Sequence, residues 1–302
     1  MSVERYEELL RSAQASYTEG RFEASLAAAQ EAERLALELG RTDLADRAAC
    51  NCCPALVELD RLGEQVPRLQ KALLRSAEPK TSWMAAYYLG AAYYHANERE
   101  RAMSYARRAM DLMGRVGEPA SAAATANLLG DLSMVAGDFE TAEDAYLRSL
   151  AAYDGLDGYH KLMAAEVRDN LGYTHLCTDR VASGIGLCEE ARSIMEEANA
   201  EFLLREPLQD LCYGYLQAGE LETAREHGER GLELAFDADD RPVVKNLLFL
   251  LAEVAVRSGD PFRARRYLRE LAQYYPELEI SDEMIDVLMA VDFTSAVNLR
   301  GS

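Results

Sequence analysis

One short turn recurs along the chain at a nearly constant spacing, and this repetition limits the possible folds more than any other feature. Successive copies lie 37 to 42 residues apart. A unit of about 40 residues is long enough for two helices and a tight turn, and such units bury their apolar faces by stacking on one another. The sequence therefore predicts an array of seven helix pairs. The turn residues are Gly20, Asp60, Asn97, Gly137, Asp179, Gly219 and Gly259.

Small residues recur at fixed distances from these turns. Gly90, Gly130 and Gly172 each stand seven residues before a turn. Glycine inside a helix costs about 1 kcal/mol relative to alanine, so its recurrence indicates close helix–helix contact. Alanine occupies the fifth position after four of the turns, where it lets the second helix approach the first. These alanines are Ala102, Ala142, Ala224 and Ala264.

Composition agrees with an all-α fold. The chain has 48 alanines and 42 leucines against 14 valines and 4 isoleucines. Good helix formers dominate, and the β-branched residues that favour strands are scarce. The composition therefore predicts that the protein is not a β-sandwich, a barrel or a βαβ enzyme.

The repeat pattern resembles that of the tetratricopeptide repeat (TPR) family. The family's order is found here: a small residue, an aromatic residue, a turn such as Gly137-Asp138-Phe139, and then alanine. The match is good in repeats three, four, six and seven and poor in repeats two and five. The usual TPR unit has 34 residues, and the longer unit here is similar to the family's long-repeat superhelical variant. The resemblance implies an all-α, right-handed α-solenoid of about seven TPR-like helix pairs with a C-terminal capping helix.

We expect this solenoid to span residues 1–302 as a single domain. Pro54 falls inside the first helix of repeat two, so residues 50–68 are predicted to be irregular. A last helix at 281–297, capped by Ser281 or Asp282, is expected to seal the array. The predicted repeats cover 6–45, 46–82, 83–122, 123–164, 165–204, 205–244 and 245–284.

Charge narrows the range of partners. The chain carries 32 Lys and Arg against 52 Asp and Glu, a net charge of −20. Such a surface repels phosphate backbones and anionic lipids, so neither nucleic acid nor membrane is expected as a partner. The first residues carry no apolar signal-peptide core, and the longest apolar run near the end, six residues from Leu247, is far too short to span a bilayer. A cytoplasmic location is predicted.

No motif of catalysis or metal binding emerges. The sequence Cys50-Asn51-Cys52-Cys53 contains a formal C-x-x-C, which would need a second ligand pair or a βαβ context for a zinc or redox role. Buried structural cysteines are the favoured interpretation. Phosphate-binding loops, nucleophile elbows and zinc-protease helices are missing from the sequence. We therefore expect a protein that is not an enzyme and holds no cofactor or metal.

The resemblance to TPR proteins implies where a ligand would bind. In that family the first helix of each repeat lines a concave groove, and tyrosine, asparagine, aspartate and glutamine suit the recognition of an extended peptide. Some of the aromatic residues could equally pack between repeats. The groove positions carried over to this chain are Tyr17, Tyr87, Tyr94, His95, Asn127, Asp131, Asp169, Tyr173, Gln209, Tyr213, Phe249, Glu253 and Arg257.

Two functions remain open at this point. The leading one is a scaffold or adaptor that binds a protein or peptide, and the acidic groove residues favour a basic or basic–aromatic partner. The alternative is a regulatory sensor whose superhelix changes on binding a peptide or small molecule and signals to a separate output protein. The oligomeric state is left open by the sequence.

Overall fold

The fold is described from a computed structural model, which defines residues 2–291 and residue 299. This part of the chain is helical and contains no strand, as the composition predicts. The helices are α1 (Val3–Thr18), α2 (Phe22–Glu38), α3 (Thr42–Asn51), α4 (Cys53–Glu58), α5 (Val66–Arg75), α6 (Pro79–His95), α7 (Arg99–Val116), α8 (Pro119–Val135), α9 (Phe139–Tyr153), α10 (Tyr159–Cys177), α11 (Val181–Glu197), α12 (Arg205–Ala218), α13 (Leu221–Asp237), α14 (Arg241–Arg257), α15 (Pro261–Ala272) and α16 (Asp282–Ala290).

These helices form the seven expected pairs followed by one further helix. The pairs are α1/α2, α3–α4/α5, α6/α7, α8/α9, α10/α11, α12/α13 and α14/α15. The first helix of pair two is interrupted, because α4 begins with Pro54 in its first turn and a short 3₁₀ turn at Leu62–Gln65 precedes α5. The prediction of an irregular stretch at residues 50–68 is confirmed.

The predicted turns are confirmed by their backbone angles. All four glycine turns have positive φ, for example 70° at Gly20 and 77° at Gly137. Asp60, Asn97 and Asp179 also adopt positive φ, between 52° and 59°. Aspartate and asparagine tolerate this left-handed conformation better than other side chains do. The three non-glycine turns are therefore true copies of the same turn.

Glycine and alanine allow the helices of each pair to approach closely. Ala102, Ala142, Ala224 and Ala264 are completely buried. A methyl group added at Gly90 would lie 3.4 Å from Ala106 N of its own pair and 2.9 Å from Leu128 Cδ2 of the next, and one at Gly172 would lie 2.6 Å from Cys188 Sγ. These positions accept no side chain without movement of a neighbour.

Several helices begin before the expected repeat boundaries. Helices α6, α8 and α14 start at Pro79, Pro119 and Arg241, four residues ahead of the predicted boundaries at 83, 123 and 245. Each has proline in its first turn, where the missing N–H removes no helical hydrogen bond. Proline therefore marks the helix starts better than the 40-residue spacing does.

The predicted capping helix exists but is shorter than expected. Ser281 Oγ accepts a hydrogen bond of 3.3 Å from Met284 N and caps α16, and Ile285 is buried. The helix ends at Ala290. Residues 292–297 of the predicted helix lie outside the described part of the chain.

Two compact units divide the chain. The first unit comprises Met1–Ser133 and Asp144–His160, and the second comprises Met134–Glu143 and Lys161–Ser302. In the first unit, Cys53, Leu89 and Ala106 belong to one buried cluster. In the second, Leu162, Met195 and Leu208 form another. Among the described residues, every helix is too short or too polar to cross a lipid bilayer.

Candidate functional site

The predicted ligand residues lie on the first helices of the pairs. We call the surface of these helices the groove face. In the first unit it is formed by α1, α3, α4, α6, most of α8 and the first two residues of α10, and in the second unit by the rest of α10, α12 and α14. The two parts of the groove face differ in how accessible their predicted residues are.

Helix α6 presents a row of aromatic side chains in the first unit. Trp83 is buried, donates a 2.9 Å hydrogen bond from Nε1 to Thr125 Oγ1 and stacks on Tyr87 with ring centroids 5.5 Å apart. Tyr87 and Tyr94 are half-buried, and His95 is exposed. Tyr87 and Tyr94 are two helical turns apart and so share a face. Part of each ring surface is therefore available to a ligand.

Tyr17, in contrast, packs inside the first unit. Its side chain is 6% exposed and its hydroxyl donates a 3.1 Å hydrogen bond to Glu58 Oε1. Its ring contacts Phe22 and Tyr159 at centroid distances of 5.6 and 5.7 Å. The structure thus gives Tyr17 the packing role that was the alternative for the predicted aromatic positions.

The carboxylate of Asp131 is held by two neighbours. Tyr146 donates from its hydroxyl to Asp131 Oδ1 at 2.8 Å, and Asn127 donates from Nδ2 to Asp131 Oδ2 at 3.3 Å. Tyr146 reaches Asp131 by passing over Gly130, whose missing side chain leaves space for the ring. Asn127 and Asp131 remain half-buried, so the negative charge is fixed close to the surface.

A polar cluster is buried on the groove face of the second unit. Asn246 donates from Nδ2 to Gln209 Oε1 at 3.0 Å, and Gln209 donates from Nε2 to Asp210 Oδ1 at 3.2 Å. Gln209 and Asp210 are almost completely buried. The ring of Tyr173 lies 6.3 Å from that of Tyr213 beside this cluster. Buried polar groups that bond to one another hold their side chains in one orientation.

Leu299 is bound to this cluster through its backbone. Its N–H donates to the Tyr173 hydroxyl at 2.9 Å, and its carbonyl accepts from Asn246 Nδ2 at 2.8 Å. The leucine side chain is 3% exposed. The groove face of the second unit therefore already grips an amino-acid residue of the chain itself by both its N–H and its C=O.

Asn246 and Asp210 were missed by the sequence analysis. The 40-residue spacing from the predicted residue Gln209 leads to Phe249 in repeat seven. Asn246 lies one helical turn earlier on the same face of α14. A polar residue directly before the apolar run from Leu247 is the signal that could have identified it. Of the other predicted residues in α14, Phe249 is half-buried, and Glu253 is buried and bonded to the exposed Arg257 at 2.9 Å.

Two buried carboxylates lie close together in the second unit. Oxygen atoms of Asp169 and Asp210 and the Sγ of Cys188 are all within 4.8 Å of one another. This part of the groove face therefore buries two carboxyl groups beside a thiol. The expectation that the chain holds no metal is not tested by this arrangement and stays a prediction.

All six cysteines are thiols that are buried or half-buried. Cys50, Cys52, Cys53, Cys188 and Cys212 are buried, and Cys177 is half-buried. Burial raises the pKa of Cys52 to about 12 and raises the pKa of Cys50 and Cys53 as well. Because the thiolate is the reactive form, these thiols are poor nucleophiles and poor metal ligands.

We expect a thiol reagent such as DTNB to label at most one cysteine per chain rapidly in the folded protein, because only Cys177 is partly accessible. All six should react in denaturant. Absorbance after mixing measures both values, and a Cys177→Ser variant should lose the rapid phase. Rapid labelling of two or more cysteines in the folded wild-type protein would contradict the assignment of the Cys50–Cys53 cluster as structural.

Comparison with known proteins identifies the fold. No protein-family model matches the chain, and no curated protein sequence does. Solved structures match across nearly its whole length. A Rap protein complexed with competence and sporulation factor has a TM-score of 0.69 at 13% identity, covering 91% of this chain and 76% of its own.

Two further structures are similar. The aspartyl phosphate phosphatase F of Bacillus subtilis has a TM-score of 0.56 at 13% identity and covers 98% of this chain and 80% of its own. A signal-transduction ATPase with a tetratricopeptide-repeat sensor from Pyrococcus horikoshii has a TM-score of 0.57 at 16% identity. The match covers 93% of this chain and 44% of the ATPase. The chain therefore has the fold of the TPR-type helical-repeat proteins, as its turn motif predicts.

Proposed function

We propose that this protein is a non-enzymatic scaffold or adaptor that binds an extended protein or peptide segment along its groove face. The observation that supports this best is the aromatic row on α6. Tyr87 and Tyr94 lie on one face of the helix, are half-buried and keep part of their rings accessible. Tyrosine supplies a large contact area with little side-chain entropy to lose, which suits it to peptide recognition.

The proposed partner is basic or basic–aromatic. Asp131 in the first unit places a half-buried carboxylate on a first helix, and the whole chain carries a net charge of −20. A field of this sign accelerates the encounter with a basic segment and disfavours an acidic one.

A library selection tests the proposal. The full chain is immobilised and used to select binders from a random peptide library, and the selected peptides are expected to be rich in Lys, Arg and aromatic residues. Their affinity, measured by calorimetry, should fall as salt rises from about 50 to about 300 mM, because exposed charges are then screened. Enrichment of acidic peptides, or affinities insensitive to salt, would contradict the basic partner.

The Bacillus subtilis structure is named as a phosphatase, but we do not propose phosphatase activity for this chain. At 13% identity that likeness concerns the fold alone. The proposal of a non-enzymatic function rests on the missing catalytic motifs and on the low reactivity of the buried thiols.

A sensor is the second candidate. Among the similar structures, one is a Rap protein complexed with competence and sporulation factor and another contains a tetratricopeptide-repeat sensor. Hydrogen exchange with and without a selected peptide separates the two functions. A scaffold is expected to gain protection only at the contacted helices, whereas a sensor is expected to change exchange in helices that do not touch the peptide.

A further inference from the structure

Leu299 is held as a residue of a bound peptide would be held. Backbone N–H and C=O groups that are removed from water require partners. At Leu299 both partners are side chains, the Tyr173 hydroxyl from α10 and Asn246 Nδ2 from α14. These partners lie 126 and 53 residues away along the chain. The contact is therefore tertiary and joins Leu299 to two helices of the groove face.

The groups that hold Leu299 are fixed in advance by their own neighbours. Asn246 uses its second amide hydrogen to bond Gln209 at 3.0 Å, and Gln209 is oriented by its bond to Asp210 on α12. Three consecutive first helices therefore contribute to one arrangement. Preorganised donors and acceptors reduce the entropy lost when a ligand binds.

The leucine side chain supplies the apolar part of the contact. It is 3% exposed, although it belongs to none of the sixteen helices described. Burying a leucine side chain removes apolar surface from water and so favours the contact. Backbone hydrogen bonds plus one buried apolar side chain are features by which a groove can select a peptide.

We propose that Tyr173 and Asn246 form a subsite for the backbone of a peptide carrying a leucine-like side chain, and that Leu299, a turn residue, occupies this subsite as an internal ligand. An external peptide must displace Leu299 before it can bind there. This inference rests on the proposed function, since it names the part of the groove face that recognises the peptide and a contact that regulates access to it.

Internal occupation lowers the apparent affinity for an external ligand. A tethered segment competes at an effective concentration in the millimolar range. If Leu299 occupies the subsite in roughly 90–99% of molecules, the external affinity falls by about 10- to 100-fold, because only the open fraction binds.

The test uses the full chain with Leu299→Asp, which places a charge where the apolar side chain is buried. The probe is a fluorescent peptide with the sequence of residues 294–302, and binding is measured by anisotropy. We expect the L299D chain to bind this peptide about 10- to 100-fold more tightly than the wild-type chain does. A probe peptide with the same Leu299→Asp change should bind neither chain.

A second substitution locates the binding at the subsite. Adding Asn246→Ala to the L299D chain removes the donor to the leucine carbonyl, and the affinity for the peptide is expected to fall at least about tenfold. Asn199→Gly is the control, because Asn199 lies in the turn after the second helix α11 and its φ of 54° suits glycine. It should leave the affinity unchanged. Circular dichroism and thermal melting confirm the fold of each variant, and Leu299→Ala replaces L299D if that variant does not fold.

The outcomes separate this inference from the proposed function. Equal affinity of the wild-type and L299D chains, no binding by a folded L299D chain, or an unchanged affinity on adding N246A would each overturn the inference. If library-selected peptides still depend on Tyr87 and Tyr94 in such a case, the scaffold function stands and only the subsite is wrong. If selected peptides bind independently of the groove face, the proposed function fails.

Discussion

Replacement of Gly130 by alanine is expected to lower the free energy of unfolding by about 2–4 kcal/mol. The new methyl carbon would lie 2.9 Å from Cζ of Tyr146 and closer still to two other ring atoms. Tyr146 is 1% exposed and donates a 2.8 Å hydrogen bond to Asp131. The ring therefore has to move against packed neighbours and strain or lose a charge-assisted bond. Urea denaturation followed by far-ultraviolet circular dichroism measures the change.

Gly114→Ala is the matched control in the same unit. Gly114 also lies inside a helix, α7, but a methyl group added there meets nothing within 4 Å. Its replacement should stabilise the protein by up to about 1 kcal/mol through helix propensity. If both substitutions change the free energy of unfolding by the same amount, the space that Gly130 leaves for Tyr146 does not contribute to stability and the prediction is wrong.

Replacement of Tyr87 and Tyr94 together by alanine is expected to weaken the binding of a selected peptide by about 2–4 kcal/mol, the scale of interface hot spots. This corresponds to a loss of about 30- to 900-fold in affinity. Both rings are half-buried on α6, so they can bury further area against a ligand. Calorimetry with the peptides from the library selection measures the loss.

Tyr105→Ala provides the control for this double substitution. Tyr105 is also half-buried and stacks on Tyr93 with centroids 5.5 Å apart, but it lies on α7, the second helix of the same pair. Its removal is expected to leave peptide affinity unchanged. A similar loss of affinity in this variant, or full affinity in the double variant, would argue against the groove face as the binding surface.

Local rules were sufficient to predict the repeats. The turn at Asn97 could be recognised because asparagine adopts positive φ easily, and the structure gives it a φ of 56°. The break near Pro54 follows from the missing N–H of proline. Ala102 was predicted from its distance to a turn and is completely buried. Each of these features depends on residues within a few helical turns, and a sequence reports such relations directly.

The accessibility of individual groove residues could not be predicted in this way. Helical periodicity assigns Tyr17 and Tyr94 to equivalent first-helix positions, yet the ring of Tyr17 is covered by Tyr159 from a distant repeat, whereas Tyr94 is half-buried. Which aromatic rings are covered depends on contacts between helices more than 100 residues apart. No local pattern encodes those contacts.

The sequence by itself determined the helix pairs, their turns and the close contacts within each pair, because a 40-residue period with glycine and alanine at fixed places leaves one way to pack two helices. Tertiary structure alone decided the subsite around Leu299. Tyr173, Gln209 and Asn246 come from three repeats and meet only when those repeats are stacked. Hydrogen bonds join Tyr173 and Asn246 to Leu299 and Gln209 to Asn246. These bonds depend on distances in space, which the spacing of residues along the chain does not record.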